Sequence, residues 1–277
     1  MNKDFVLNTQ INEKIRITSF GYENINSSPC LFFVHGFKGF KDWGFWPFVG
    51  NYFAKNGFFI LTFNFSHNGI GENLTEFTEL DKFANNTFSL ELKELNEIID
   101  AYLNNFFGKK SKKPIGILGH SRGGGDSLLV SSKRKEIGAV VLWASVANFN
   151  RYSERQAKEW RKKGVFEVLN TRTNQMMKLN VSLLEDLEKN KGGSLNLENA
   201  VKTLGKPLLI LHGEQDLAVP VKESELIYNW SDKEKTEFHK ISATGHTFDI
   251  THPFEGSNPK FNFVLDNTLK FFNKNLN

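Results

Sequence analysis

Apolar residues in this chain of 277 gather into short unbroken runs rather than alternating ones. Leu31 to Val34, Ile115 to Leu118, Gly138 to Ala144 and Leu208 to Leu211 are the clearest, and Phe58 to Phe65 joins them as a strand broken only by Thr62 and Asn64. Runs of that length without polar interruption belong to strands buried on both faces, as in a parallel sheet covered by helices. Between them lie longer segments with helical spacing. Trp46 to Asn56 is one, and Thr87 to Phe106 is another, with Leu90, Leu92, Leu95, Ile98 and Ile99 on its expected buried side. Gly124 to Lys133 and a final stretch near Phe261 to Asn273 follow the same spacing. Strand and helix in regular alternation predict an α/β fold with a mostly parallel central sheet and helices on both faces. The first twenty residues differ. Two alternating runs, Phe5 to Asn8 and Lys14 to Ser19, predict an antiparallel hairpin at a sheet edge.

The rhythm breaks between residues 148 and 203. That stretch is polar and charged, with helical patches at Tyr152 to Lys163 and Ser182 to Lys189 and no strong strand. It reads as a helical cap inserted into a single α/β domain spanning residues 1–277, with Lys191-Gly-Gly-Ser194 as its one flexible-looking joint. Hydrophobic residues make up 39% of the chain and charged ones 24%, which suits a packed core. Many of the 27 phenylalanines fall in strand-like runs, such as Phe32-Phe33 and Phe58-Phe59, and most are assigned to that core. The net charge of +4 comes from 35 basic and 31 acidic residues, too even a balance to point to nucleic acid or a membrane surface. Cys30 is the only cysteine, so no internal disulfide or cysteine-based metal site can form. The N-terminal residues have no signal-peptide pattern and no window approaches a membrane span, so a cytoplasmic location is expected. Nothing fixes the oligomeric state.

The chemistry gathers around Gly119-His120-Ser121-Arg122-Gly123, which follows one apolar strand and opens one helix. A serine on so sharp a strand-to-helix turn stands clear of the sheet edge, and glycines two residues to either side relieve the crowding of the bend. Its hydroxyl needs a base, and the base needs a carboxylate. In a parallel sheet both should lie on loops at the C-terminal ends of later strands. Asp216 lies on the loop after Leu208 to Leu211, and His246 lies on the loop after Phe238 to Ser242. Glu214 is the alternative acid, and His239 and His252 are the alternative bases. No histidine pair has the helical spacing of a zinc hydrolase, and no metal or cofactor is called for.

Taken together, His35-Gly36-Phe37, the serine pentapeptide, His212-Gly-Glu-Gln-Asp216 with Val219-Pro220, and Gly245-His246 resemble the α/β-hydrolase superfamily. The similarity is to its dienelactone-hydrolase-like and feruloyl (cinnamoyl) esterase-like branch, over most of the chain. The resemblance implies a triad of Ser121, Asp216 and His246, with an oxyanion hole formed by the backbone N–H groups of Phe37 and Arg122. It implies a serine carboxylesterase acting on small to medium acyl esters, feruloyl types among them. A prolyl-aminopeptidase-like amidase and a non-catalytic binding relative are the alternatives. Two departures stand out. Asn64 and Ser66 replace an aspartate and an arginine frequent in relatives, and Ser121 stands where dienelactone hydrolases have cysteine. Candidate substrate contacts are His35, His120, Trp43 and Trp160, although both histidines also suit local hydrogen bonding in their turns. Phe40, Phe45 and Trp46 could wall the acyl pocket or pack beneath it. Arg151, Arg155 and Arg161 of the insertion could pair with an acidic substrate or lie on a solvated face.

Overall fold

In the computed structural model, which describes residues 1–277, ten strands and nine α-helices follow one another along the chain. The strands are β1 (Lys3–Asn8), β2 (Lys14–Phe20), β3 (Cys30–Val34), β4 (Phe59–Asn64), β5 (Ile115–His120), β6 (Ile137–Trp143), β7 (Val165–Asn170), β8 (Gln175–Asn180), β9 (Leu208–Gly213) and β10 (Thr236–Ile241). The helices are α1 (Trp46–Lys55), α2 (Leu80–Ala84), α3 (Phe88–Leu103), α4 (Arg122–Ser131), α5 (Glu154–Lys163), α6 (Val181–Asn190), α7 (Leu197–Lys202), α8 (Val221–Trp230) and α9 (Pro259–Leu276). Eight strands form one sheet in the order β1-β2-β4-β3-β5-β6-β9-β10. The hairpin β1–β2 adds to β4 antiparallel, and every pairing from β4 to β10 is parallel. Strands β3, β4, β5 and β9 are buried at every position, as their unbroken apolar runs require. No helix is long and apolar enough to cross a membrane.

Helix α3 corrects one expectation. Its N-cap is Thr87, whose side chain accepts from Leu90 N–H at 3.2 Å. Its buried side carries Phe88, Glu91, Glu94, Leu95, Ile98 and Ile99, whereas Leu90 and Leu92 are only half-buried. Two glutamates enter the core because each finds partners there. Glu94 accepts from the backbone N–H of Ser66 at 2.9 Å and from its hydroxyl. Glu91 accepts from Asn86 Nδ2 at 2.7 Å and faces the Arg122 guanidinium at 3.4 Å. Asn64 and Ser66 both brace these loops, with Asn64 Oδ1 accepting from Lys41 N–H at 2.7 Å.

The insertion departs further from its helical reading. Between α5 and α6 it contains an antiparallel hairpin, β7–β8, paired from Val165↔Asn180 to Asn170↔Gln175. The hairpin gives α5 something to bury against. Trp160 is fully buried, donates from Nε1 to Leu179 O at 2.9 Å, and packs on Tyr152 and Phe166 at 4.9 and 5.3 Å between ring centroids. It is the insertion's own core residue and touches no cavity beside Ser121. Arg155 is 88% exposed, and Arg161 pairs with Glu188.

Burial raises the Glu94 carboxyl to about 7, against hydrogen bonds from Ser66 that favour its charged form. An acid whose folded value exceeds its unfolded one costs stability progressively as pH rises between the two, from about 4.5 to about 7 here. Glu94→Gln should therefore gain on the wild type between pH 5 and pH 8, by up to ~3 kcal/mol. Urea unfolding at the two pH values measures the difference.

Candidate active site

Ser121 joins β5 to α4 with φ 58° and ψ −123°, a strained conformation for a residue with a side chain. A Cβ added to Gly119 would run into Gly123 O, and one added to Gly123 would run into the carbonyls of Val34 and His35. The flanking glycines are thus required by backbone crossings, as the turn predicts. Ser121 N–H is tied to Trp143 O at 2.9 Å, and its carbonyl accepts from Gly124 and Val146 N–H at 3.0 and 3.2 Å. Below it, Trp143 lies parallel to Trp46 at 6.1 Å and edge-on to Phe45 at 5.7 Å, and its Nε1 donates to Thr268 Oγ1 at 3.0 Å.

Asp216 and His246 approach from the loops after β9 and β10. Those loops are joined by hydrogen bonds from Glu214 N–H to Ile241 O and from Gln215 N–H to Thr244 O, both 2.9 Å. His246 Nδ1 donates to Asp216 Oδ2 at 2.6 Å. The same oxygen accepts from His212 Nε2 at 3.1 Å, while Oδ1 accepts from the N–H groups of Ala218 and Val219, both at 2.8 Å. Burial works against the charged carboxylate, but the hydrogen bonds from His212 and His246 outweigh it. They hold Asp216 well below the ordinary aspartate range. Glu214 is exposed and takes no part.

His212 is the residue that sequence reasoning undervalued. It is fully buried and accepts at Nδ1 from Ser224 Oγ at 2.6 Å while its Nε2 serves Asp216 and Val219 O. Its position four residues before Asp216 was the available signal.

Ser121 and His246 line one cavity of about 790 Å³. No hydrogen bond joins Ser121 Oγ to His246, and the imidazole edge opposite Asp216 is left free for one. Phe37 and Arg122 line the same cavity. The Phe37 N–H makes no hydrogen bond, and the Arg122 N–H is the first of α4, with no intrahelical acceptor. Trp43 and Trp46 also line the cavity, while Phe40 and Phe45 belong to the core beneath. The insertion contributes Phe149, Tyr152, Val168 and Arg172 to the wall.

The remaining histidines divide by their partners. His35 does not reach the cavity, correcting its assignment as a substrate contact. It donates from Nδ1 to Gly36 O at 3.0 Å, its Nε2 faces Phe65 N–H at 3.4 Å, and burial lowers it to about 4. His120 lines the cavity, but its Nε2 is committed to His246 O at 2.9 Å. Burial, with the neighbouring His246, lowers His120 to about 3 and keeps it neutral. It fixes the His246 backbone rather than offering a titrating group. His252 lines the cavity mouth, accepting from Gly44 N–H at 2.9 Å, and His239 lies in β10 against Phe263.

No protein-family model matches this chain, and no curated protein matches it in sequence. Solved structures do match it over nearly their whole length. Est1E from Butyrivibrio proteoclasticus, solved with ferulic acid bound, is 17% identical, with 98% of each chain covered and a TM-score of 0.74. The α/β hydrolase GrgF from Penicillium sp. sh18 is 15% identical, covering 100% of this chain and 99% of its own, at a TM-score of 0.76. An esterase from Pyrococcus furiosus is 18% identical, with 100% and 92% covered and a TM-score of 0.66. The chain has the α/β-hydrolase fold. Within that fold the serine turn, the acid loop and the histidine loop all lie at the C-terminal edge of the parallel strands.

His212→Ala removes one donor from Asp216 and strands Ser224 Oγ and Val219 O in a dry pocket. It should cost ~2–4 kcal/mol in urea unfolding, against less than ~0.5 kcal/mol for the exposed Glu214→Ala. Equal, small effects would show that Asp216 does not depend on its second histidine.

Proposed function

We propose that this protein is a serine carboxylesterase that cleaves small to medium acyl esters through an acyl-enzyme. The observation that carries the reading is a strained serine turn and an Asp216-held histidine opening on one cavity beside two unengaged backbone N–H groups. In this mechanism Ser121 Oγ attacks the ester carbonyl while His246 Nε2 takes its proton. Asp216 keeps the Nδ1–H tautomer and stabilises the imidazolium as it forms. The N–H groups of Phe37 and Arg122 receive the developing oxyanion, each donor worth ~2.7–4 kcal/mol in the transition state. His246 returns its proton to the leaving alcohol, then draws one from water to release the acid. The cavity's aromatic walls, Phe37, Trp43, Phe88, Phe149 and Tyr152, suit an aromatic acyl group, and Est1E with its bound ferulic acid supports that choice.

The amidase alternative calls for a carboxylate to hold a peptide amine, and no Asp or Glu lines the cavity. Initial rates on p-nitrophenyl butyrate, methyl ferulate and an aminoacyl p-nitroanilide test the reading. Turnover of at least one ester, abolished in Ser121→Ala, is expected; cleavage of the anilide alone would replace the esterase with a peptidase, and silence on all three in folded protein would count against turnover. The pH profile is a second test. With His120 held neutral and Asp216 held charged, the acid limb of kcat/KM should involve one proton. A limb steepened by a second proton would show that another cavity group titrates with the base.

A further inference from the structure

Four cations line the cavity, namely Lys38, Arg122, Arg151 and Arg172, with no carboxylate among the lining residues. Two of them are already neutralised. Arg122 faces Glu91 at 3.4 Å and is sandwiched between the rings of Phe37 and Phe88, while Arg151 pairs with Glu223 at 2.7 Å. The other two make no ion pair. Lys38 comes from the loop after β3, half-buried, in a left-handed backbone conformation with φ 56°. Arg172 comes from the β7–β8 turn, at the exposed mouth of the cavity.

The two are fastened together. The Arg172 guanidinium donates to Lys38 O, and Lys38 Nζ donates to Leu169 O at 3.2 Å, at the base of the same turn. Arg172 also lies over the Trp43 ring at 5.3 Å. Like charges held together and partly desolvated disfavour each other. Burial, then Arg172, lowers Lys38 below the ordinary lysine value, and burial lowers Arg172. Two cationic donors therefore meet at this part of the cavity wall, and the protein supplies no counter-ion to either.

We propose that Lys38 and Arg172 bind a negatively charged oxyanion group, a carboxylate or phosphate, carried by the substrate away from its scissile ester. The inference rests on the esterase reading of Ser121 and narrows it to anionic esters. A guanidinium and an ammonium on one oxyanion supply the charge-assisted hydrogen bonds that such a group loses on leaving water.

The kinetic test compares 4-nitrophenyl hydrogen glutarate with the neutral 4-nitrophenyl hexanoate. The wild type should favour the anionic ester by about tenfold or more in kcat/KM, and Lys38→Gln and Arg172→Gln should each erase most of that preference, chiefly through KM. Arg155→Gln removes the same charge from the exposed face of α5 and should leave the preference intact. A tether role alone for Arg172 would lower both esters together and leave their ratio unchanged, which would overturn the proposal. Calorimetry separates this failure from failure of the esterase reading, because it needs no turnover. The probes are hexanoate, hexyl phosphate and hexan-1-ol. At least one anion should bind the wild type, and about tenfold more weakly to Arg172→Gln, with the favoured anion revealing whether the natural group is a carboxylate or a phosphate. If neither anion binds better than the alcohol, or both proteins bind alike, the site does not exist.

Discussion

Ser121 occupies a backbone conformation that a residue with a side chain keeps only when its surroundings hold it there, and in this protein three close crossings do so. The end of β3, the turn itself and the first residues of α4 pass so near one another that Cβ atoms are excluded at Gly119 and Gly123. A Cβ on Gly36 would likewise come within 2.8 Å of the Ser121 Cβ. That last crossing brings the Phe37 loop to the serine, and the helix start brings the Arg122 N–H. One local constraint thus holds the serine turn against the Phe37 loop and the start of α4.

Charge organises the rest of the site. Four donors converge on the Asp216 carboxylate, which keeps it ionised in a buried position and fixes the Nδ1–H tautomer of His246. His120 spends its ring on the His246 carbonyl and is kept neutral by burial, so it adds no competing charge. The negative charge of Asp216 is held beneath the cavity lining, and the lining itself carries only cations. That distribution of charge is what the proposed preference for an anionic ester rests on.

The parts legible in the sequence were those governed by local chemistry. Unbroken apolar runs marked β3, β5, β6 and β9 because burial on both faces leaves no room for polar residues. Glycine spacing marked the serine turn, and strand ends marked Asp216 and His246. Readings failed where a distant partner decides the outcome. Glu91 and Glu94 share the helical face of Leu95 and Ile98, and carboxylates are tolerated there only because Arg122 and Ser66 meet them from other segments. The hairpin β7–β8 is short and only half-buried, and its pairing, rather than its composition, marks it as sheet. Trp160 looked like a ligand contact because its partner strand was not foreseen, whereas His35 makes the local hydrogen bonds that its turn also suited.

The central claim is that Ser121 is a nucleophile activated by His246. Reaction with a fluorophosphonate, followed by mass spectrometry of the digested protein, tests it without knowledge of the substrate. The account predicts one label per chain, on Ser121, with labelling slowed at least a hundredfold in folded His246→Ala, since a serine without its base is a poor nucleophile. A label on another residue, or equally fast labelling without His246, would contradict it.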